Sequence, residues 1–167
     1  VKQGDQYILN GTKMWITNGP IADVAVVYAK TDPDGRHAGI SAFIVEKGTP
    51  GFTAGNPLIK MGVRSSQTSE LVFNQCTIPS NNRLGNEGDG FLMAMQTVEW
   101  DRSALLAPFV GTADYLLKKC ARYAKGRVQF GKPIGHFQAI KHKLADIRIF
   151  GEAARALVYR VAWYKDQ

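Results

Sequence analysis

The sequence predicts an α+β fold, in which an N-terminal antiparallel β-barrel or sandwich precedes a long antiparallel helical hairpin, part of a helical bundle. Three observations lead to this prediction. Residues 5–80 are short apolar runs separated by turn residues, as in consecutive strands. From about Asn86 the apolar residues recur every three or four positions, as on one face of a helix. A loop of about ten residues, which contains Gly126 and Gly131, then divides the helical part into two antiparallel helices.

The first strands are predicted from the run Tyr7-Ile8-Leu9 and from the run that ends in Trp15-Ile16-Thr17. Asn10-Gly11 lies between them, and this pair is typical of a two-residue hairpin turn because both turn positions need positive φ. We therefore expect a hairpin at Asn10-Gly11. Apolar runs predict further strands at residues 23–29, 40–45, 52–54, 58–61 and 69–73.

Two long helices are predicted after residue 86. The first extends to about residue 125, with Pro108 as the expected kink point, and the second covers residues 137–165. The apolar stripe of the first helix contains Phe91, Met95, Val98, Arg102, Leu105 and Phe109. Two helices cannot enclose a core, so each apolar face requires a partner. We therefore expect the chain to be a piece of a longer protein.

The composition excludes several classes of protein. Hydrophobic residues make up 45% of the chain and charged residues 21%, which is typical of a globular domain. No run of 18 apolar residues occurs, so no membrane span is expected. Cys76 and Cys120 show neither metal-ligand nor disulfide spacing, which indicates a reduced, intracellular setting. The three histidines have no metal-ligand spacing either, and the net charge of +7 favours anionic partners.

Several motifs, taken in order, resemble the acyl-CoA dehydrogenase family. YILNGTKMWITNG at residues 7–19, GISAFIV at 39–45, PGF at 50–52 and MGVRSS at 61–66 resemble its middle β-domain. GNEGDGF at 85–91 resembles the entry into its C-terminal helical domain, and RVQFGKPI at 127–134 with FQAI at 137–140 resembles the next helix junction. The resemblance covers essentially the whole chain. It implies that residues 1–85 are a middle β-domain and residues 86–167 a partial C-terminal helical domain.

The resemblance implies a fragment of an FAD-dependent acyl-CoA dehydrogenase. Such an enzyme oxidises acyl-CoA to trans-2-enoyl-CoA, as a carboxylate removes the α-proton and the β-hydrogen leaves as hydride to flavin N5. It also implies an electron-transfer flavoprotein as partner, a homotetramer or homodimer at full length, and a bacterial cytoplasmic or mitochondrial matrix location. Two alternatives stay open: a catalytically incomplete fragment without bound FAD, and a nucleic-acid-binding relative of the same fold.

Trp15, Ile16 and Thr17 are the expected flavin-facing strand. Trp15 and Thr17 are two positions apart on a strand and therefore face the same side. An indole offers a flat apolar surface, and a hydroxyl can hydrogen-bond flavin N5. On the pattern alone, a core Trp beside a Thr is the alternative. The resemblance favours the flavin, because these positions match the family's flavin-contacting Trp and Thr.

Glu99, Asp101 and Arg102 are the expected substrate-binding residues, because the matching family segment contacts the bound thioester and pantetheine. Arg102 lies in the apolar stripe, where a charge must be paired or face a site. The alternatives are that Arg102 extends its charged end to solvent or that it pairs with Glu99. Asp101 is the candidate catalytic base, because some family members place their catalytic Glu at this position. Asp is one methylene shorter, and the more usual Glu position lies beyond residue 167. The alternative for Asp101 is an ion pair with Arg102 or with a neighbouring subunit.

Arg127, Gln129 and Gln138 flank the loop between the helices, and the resemblance implies that they contact the FAD of an adjacent subunit. Arg can bind pyrophosphate through two parallel hydrogen bonds, which Lys cannot form. Family members often have Thr where this chain has Gln129, whereas Gln138 matches. A solvated polar loop is the alternative.

The segment from Lys118 to Lys143 contains eight Lys or Arg residues. Such a cluster is usually a solvated helix face. It lacks the interleaved aromatic residues of single-strand binders, so a solvated helix face is favoured over a nucleic-acid partner.

Overall fold

The computed structural model describes residues 1–167 and divides into two compact units, Val1–Met95 and Gln96–Gln167. The first unit contains two antiparallel sheets, one of four strands in the order β1-β2-β6-β5 and one of three in the order β3-β4-β7. Their strands are β1 (Lys2–Gln3), β2 (Gln6–Thr17), β3 (Val24–Lys30), β4 (Ile40–Glu46), β5 (Phe52–Ala54), β6 (Thr68–Pro79) and β7 (Arg83–Leu84). The antiparallel β architecture predicted for the N-terminal half is confirmed.

The two sheets pack against each other around one apolar core. The rings of Tyr7 on β2 and Phe43 on β4 meet at 4.8 Å between centroids, and both side chains are fully buried. The core residues come from both sheets, as in a β-sandwich: Tyr7, Leu9, Leu71, Phe73, Cys76 and Ile78 from one, and Val27, Phe43 and Val45 from the other. Burial raises the pKa of the Cys76 thiol, which keeps it protonated.

Asn10-Gly11 does not form the expected hairpin turn, so that prediction is wrong. β2 continues through both residues and pairs with β6 on either side of them. Here two residues of β6, Asn74 and Gln75, lie opposite Asn10 alone, which makes a β-bulge on β6. Gln75 has a φ of 51°, and its backbone N–H donates to Asn10 Oδ1 at 2.7 Å. The short polar side chain of Asn10 therefore satisfies a bulge on the neighbouring strand.

Residues 58–61 do not form the predicted strand. Ile59 and Met61 are fully exposed, at 100% and 101% of their reference areas, and no strand pairs with this segment. Lys60 holds the loop in place, because its amino group donates to Thr68 Oγ1 at 3.0 Å. The apolar run resembles a strand, but its one backbone hydrogen bond to β6, from Leu58 N to Thr68 O at 2.8 Å, is not continued into a ladder. β6, which spans Thr68–Pro79, is longer than the strand predicted at residues 69–73.

The segment before the first helix is fastened to the sheets by buried polar groups. The Tyr7 hydroxyl donates to Glu87 Oε2 at 2.8 Å and accepts a hydrogen bond from Arg83 Nη1 at 3.1 Å. The backbone N–H of Gly88 donates to the buried Ser41 Oγ at 2.9 Å. A Cβ on Gly88 would lie 2.5 Å from the carbonyl oxygen of residue 38, so the close approach requires glycine.

The helices are α1 (Gly90–Ala104), α2 (Ala107–Gly126) and α3 (Gln138–Lys165), with a short hairpin of β8 (Val128–Gln129) and β9 (Lys132–Pro133) between α2 and α3. The predicted kink is confirmed as the interruption between α1 and α2. Pro108 lies in the first turn of α2. It has no N–H to donate to the Ala104 carbonyl four residues earlier, and its ring would clash with that group in a continuous helix.

α3 runs antiparallel to the helices before it. Arg148, early in α3, pairs with Asp114 of α2 at 3.5 Å, whereas Lys165 at the end of α3 pairs with Glu99 of α1. Position along α3 therefore increases as position along its partners decreases. The helical hairpin of the sequence prediction is confirmed.

Large apolar side chains remain exposed on these helices, as expected for helices that lack partners. Phe109 of α2 and Phe150 of α3 are 70% and 72% exposed. They line an apolar groove of about 510 Å³ between α2 and α3. None of the three helices combines the length and the apolar character that crossing a bilayer requires.

Candidate functional site

Trp15 projects from a β-bulge at the end of β2. Here the register shifts, so that Met14 and Trp15 together lie opposite Glu70 of β6. Trp15 has a φ of 62°, and its indole is 69% exposed. A bulge re-aims a side chain and strengthens the local twist. The sequence predicts a regular strand with Trp15 and Thr17 on the same side. The structure instead exposes the indole through a local backbone distortion.

Ile16 and Thr17 follow with opposite orientations. Ile16 packs against the apolar core, whereas Thr17 is exposed, so Trp15 and Thr17 both face away from the core. Thr17 also borders a cleft of about 350 Å³, whose wall includes Val24 and Phe52. Its hydroxyl makes no hydrogen bond within the chain and is free to bind a ligand. An exposed flat indole beside a free hydroxyl suits a planar ring with polar edge atoms.

Glu99, Asp101 and Arg102 lie in the last two turns of α1, and all three are exposed. Glu99 pairs with Lys165 at the end of α3, so its carboxylate is already engaged. The alternative pair between Glu99 and Arg102 is not formed, and neither is a pair between Asp101 and Arg102. The side chains of Asp101 and Arg102 therefore have no ionic partner within the chain.

Arg127, Gln129 and Gln138 lie close along the chain around the β8–β9 hairpin. Arg127 follows the last residue of α2, Gln129 is in β8, and Gln138 is the first residue of α3. All three are exposed, and none makes a hydrogen bond through its side chain. The backbone carbonyl of Arg127 accepts a hydrogen bond from Ile134 N at 2.8 Å, which ties the two ends of the hairpin together. This end of the helix pair thus presents one guanidinium and two amides to solvent.

Phe130 is a residue of this region that the sequence reasoning missed. It occupies the hairpin turn with Gly131, and the two have φ values of 52° and 75°. Positive φ at both positions matches the two-residue turn that joins twisted strands. The Phe130 ring is 90% exposed, and its edge contacts Phe137 at 6.0 Å between centroids. The signal in the sequence was a bulky residue at a position where glycine or asparagine is usual.

Asp114 is the centre of an ion cluster between α2 and α3. Its carboxylate contacts Lys118 at 2.8 Å, Arg148 at 3.5 Å and Arg155 at 3.9 Å. The hydrogen bond from Lys118, with the neighbouring positive charges, holds the pKa of Asp114 below its usual value. The cluster links the two helices and is independent of the residues predicted to bind ligands.

No three histidine, cysteine, aspartate or glutamate side chains are grouped in a way that could hold a metal ion.

The predicted ligand-binding residues fall into three groups. Trp15, Ile16 and Thr17 form one group in the first unit. The second unit carries the other two, Glu99, Asp101 and Arg102 on α1, and Arg127, Gln129 and Gln138 around the β8–β9 hairpin.

Comparison with known proteins matches both halves of the chain. Residues 1–76 match the family model of the acyl-CoA dehydrogenase middle domain, and residues 88–167 match that of the acyl-CoA dehydrogenase C-terminal domain. An acyl-CoA dehydrogenase of Bacillus subtilis (strain 168) is 50% identical over 163 residues, which is 97% of this chain and 43% of the relative.

Solved structures give the same result. Butyryl-CoA dehydrogenase from Megasphaera elsdenii is 49% identical with a TM-score of 0.91, over 98% of this chain and 43% of that one. PigA with FAD and proline is 45% identical with a TM-score of 0.91, over 96% of this chain and 42% of that one. The chain thus spans less than half the length of the proteins it matches. With family models that match its two halves in order, it belongs to the acyl-CoA dehydrogenase family.

Proposed function

We propose that the chain is part of a longer FAD-dependent acyl-CoA dehydrogenase, with residues 1–85 as its middle β-domain and residues 86–167 as the first part of its C-terminal helical domain. The observation that carries the proposal is the ordered match of the two family models to residues 1–76 and 88–167. The matched relatives are more than twice as long as the chain, since it covers 43% of the one from Bacillus subtilis. Activity is therefore a property of the longer protein.

The proposed substrate is a saturated acyl-CoA, and the proposed product is the trans-2-enoyl-CoA. The names of the bacterial relatives support this class of thioester. The net charge of +7 suits a ligand that carries several phosphates. FAD, when bound, would supply the acceptor for the hydride that leaves the β-carbon. The protein must then bind the thioester, exclude water and take the α-proton.

Trp15, Ile16 and Thr17 fit one face of an isoalloxazine ring. The exposed indole supplies flat apolar surface, and the free Thr17 hydroxyl supplies a hydrogen-bond partner for a ring nitrogen. Ile16 anchors the segment, because its side chain packs against the core. The bulge at Trp15 aims the indole outward, and the pairing of β2 with β6 resumes at Ile16.

Arg127, Gln129 and Gln138 fit the phosphate-bearing part of FAD. A guanidinium binds pyrophosphate oxygens through two parallel hydrogen bonds, and amide side chains can add donors beside it. In our proposal these residues contact the FAD of an adjacent subunit in a homotetramer or homodimer. Their exposed and unpaired side chains support such a role.

Asp101 is the proposed base on this chain, with Glu99 and Arg102 on the substrate side. Its carboxylate is exposed and unpaired on α1, so it is free to approach the α-carbon. A general base must come within about 2.6–3.2 Å of the atom that carries the proton. Asp is shorter than Glu by one methylene, so a glutamate elsewhere in the longer protein is the competing assignment. An electron-transfer flavoprotein is the proposed electron acceptor, in a bacterial cytoplasm or a mitochondrial matrix.

The test is the visible spectrum of the purified full-length protein. We expect flavin absorbance, and we expect straight-chain acyl-CoA thioesters, tested from butyryl-CoA upward, to bleach it under anaerobic conditions. Absence of flavin, or a flavin that no acyl-CoA reduces, would contradict the proposal. The 167-residue chain serves as the comparison, and we expect it to retain less flavin because it carries only part of the proposed site. Salt-dependent retention on DNA would instead favour the nucleic-acid-binding alternative.

A further inference from the structure

Lys165 joins the last turn of α3 to the segment of α1 that carries the proposed substrate residues. Its amino group donates to Glu99 Oε2, although 66 positions separate the two residues in sequence. The backbone carbonyl of Glu99 accepts a hydrogen bond from Ser103 Oγ at 2.9 Å. Glu99 is therefore held through both its side chain and its backbone, within one turn of Arg102.

Arg102 is the local partner that Glu99 could have and does not. Residues three positions apart on a helix are neighbours, and a Glu and an Arg at that spacing can form an ion pair. In the structure the Glu99 carboxylate is paired with Lys165 instead. The exposed guanidinium of Arg102 is left without an ionic partner in the chain.

Burial of the lysine stem favours the pair that is distant in sequence. The Lys165 side chain is only 28% exposed, whereas Arg102 is exposed. A side chain that packing already restricts loses less conformational entropy on forming an ion pair than a freely moving one does. Arg160, another cation near the end of α3, is engaged elsewhere, because it lies 5.5 Å from the centre of the Tyr164 ring and donates to the Tyr164 hydroxyl at 3.2 Å.

We propose that Lys165 is a positioning residue for the substrate site: by holding the Glu99 carboxylate, it keeps the Arg102 guanidinium free to bind oxygen atoms of the thioester substrate. A guanidinium carries five N–H donors and no acceptor, so it suits carbonyl and phosphate oxygens. Without Lys165, the released carboxylate pairs with Arg102 and withdraws those donors from the substrate. The inference rests on the proposed function, in which Arg102 lies on the substrate side.

The size of the effect follows from the strength of a local ion pair. Opposite charges three or four positions apart on a helix favour the paired state by a factor of about 1.4–2.3. Without Lys165, Arg102 would then be free for about 30–40% of the time, so the acyl-CoA concentration that half-saturates flavin reduction should rise about two- to threefold. The limiting rate should change by less than about twofold, because saturating substrate displaces Glu99 from Arg102.

Stopped-flow reduction of the flavin by butyryl-CoA in the full-length protein separates these two quantities. Lys165→Met removes the charge, keeps the apolar stem and is expected to raise the half-saturating concentration about two- to threefold. Lys165→Arg restores the charge and should match the unaltered protein. Arg160→Met is the matched control, because it removes a cation of the same helix that does not contact Glu99, and it should leave the half-saturating concentration unchanged.

A second change, Glu99→Gln, distinguishes positioning from a merely structural role. With Gln at this position no carboxylate competes for Arg102, so the addition of Lys165→Met should have no further effect on half-saturation. An equal rise in both backgrounds would mean that Lys165 acts by another route, and it would overturn the inference. The absence of any rise in Lys165→Met alone would overturn it as well.

Chemical modification of Arg102 tests the inference without any catalytic activity. Phenylglyoxal reacts with free guanidino groups, and mass spectrometry of the digested full-length protein gives the rate at each arginine. Lys165→Met should slow modification of Arg102 about two- to threefold, and the addition of Glu99→Gln should restore the rate. An unchanged rate at Arg102 would refute the role of Lys165 even in an active enzyme. A slowed rate in a protein whose flavin no acyl-CoA reduces would support control of Arg102 by Lys165 and contradict the proposed function.

Discussion

Replacement of Tyr7 by Phe tests whether the segment before α1 is fastened by the Tyr7 hydroxyl. The ring and its contact with Phe43 remain, and only the oxygen is lost. That oxygen donates to the Glu87 carboxylate at 2.8 Å and accepts from Arg83 at 3.1 Å. A hydrogen bond to a charged group contributes about 1.5–3 kcal/mol to the free energy of unfolding.

The lower part of that range applies here. The Glu87 side chain is 39% exposed, so water can replace the lost donor, and Arg83 stays 3.6 Å from the carboxylate. We therefore expect a loss of about 1.5–2 kcal/mol in the unfolding free energy of the first unit. The assay is native-state hydrogen exchange at the slowest amides of β4. At about 1.4 kcal/mol per factor of ten, their exchange would accelerate about 10- to 30-fold.

The matched control is Tyr28→Phe, because the Tyr28 hydroxyl has no hydrogen-bond partner within the chain. We expect it to change β4 exchange by less than about twofold. Equal effects of Tyr7→Phe and Tyr28→Phe would refute the reasoning. A double-mutant cycle with Glu87→Ala adds a second check, since the two changes should couple by at least about 0.5 kcal/mol.

Three further predictions concern ligand binding, catalysis and pH. In the full-length protein, Thr17→Val should weaken FAD binding about two- to tenfold through loss of one hydrogen bond, measured by flavin titration of the apoprotein, whereas Thr53→Val on exposed β5 should leave it unchanged. If Asp101 is the base, Asp101→Asn should lower the rate of flavin reduction by acyl-CoA at least about 100-fold and Asp101→Glu should largely preserve it, both by stopped flow; an unchanged rate in Asp101→Asn would assign the base elsewhere. Because the pKa of Asp114 is lowered on folding, its charge stabilises the folded chain above its unfolded pKa, near 3.8, and this contribution is lost as pH falls through the folded value. The stability difference between the native chain and Asp114→Asn, followed by urea unfolding, should therefore be constant at neutral pH and shrink in acid; a difference that grows in acid would contradict the assignment.

The sequence predicted the helices better than the strands, for a physical reason. A helix is stabilised by contacts three and four residues apart, so the apolar stripe and Pro108 were sufficient to predict α1, α2 and the break between them. A strand depends on a neighbour that is distant in sequence. Asn10-Gly11 resembles a turn locally, and only the pairing of β2 with β6 makes it part of a continuous strand.

The same difference between local contacts and contacts distant in sequence applies to the candidate site. That Trp15 and Thr17 face the same side could be predicted from their spacing, whereas the positive φ of Trp15 could not, because it results from the register with β6. The pair between Glu99 and Lys165 joins residues 66 positions apart, so the local sequence suggested Arg102 as the partner instead. The roles of these residues towards FAD and substrate stay predictions.

The two bulges also determine where the first unit can change length. Core positions on β6 are spaced by three residues across its bulge, from Phe73 to Cys76, yet both side chains are buried. Deletion of Gln75 would restore ordinary spacing without turning any core residue outward, whereas a one-residue deletion elsewhere in β6 would exchange its two faces. The same holds on β2, where Trp15 is the extra residue. The fold can therefore dispense with Trp15, whose exposed indole adds no packing to the core.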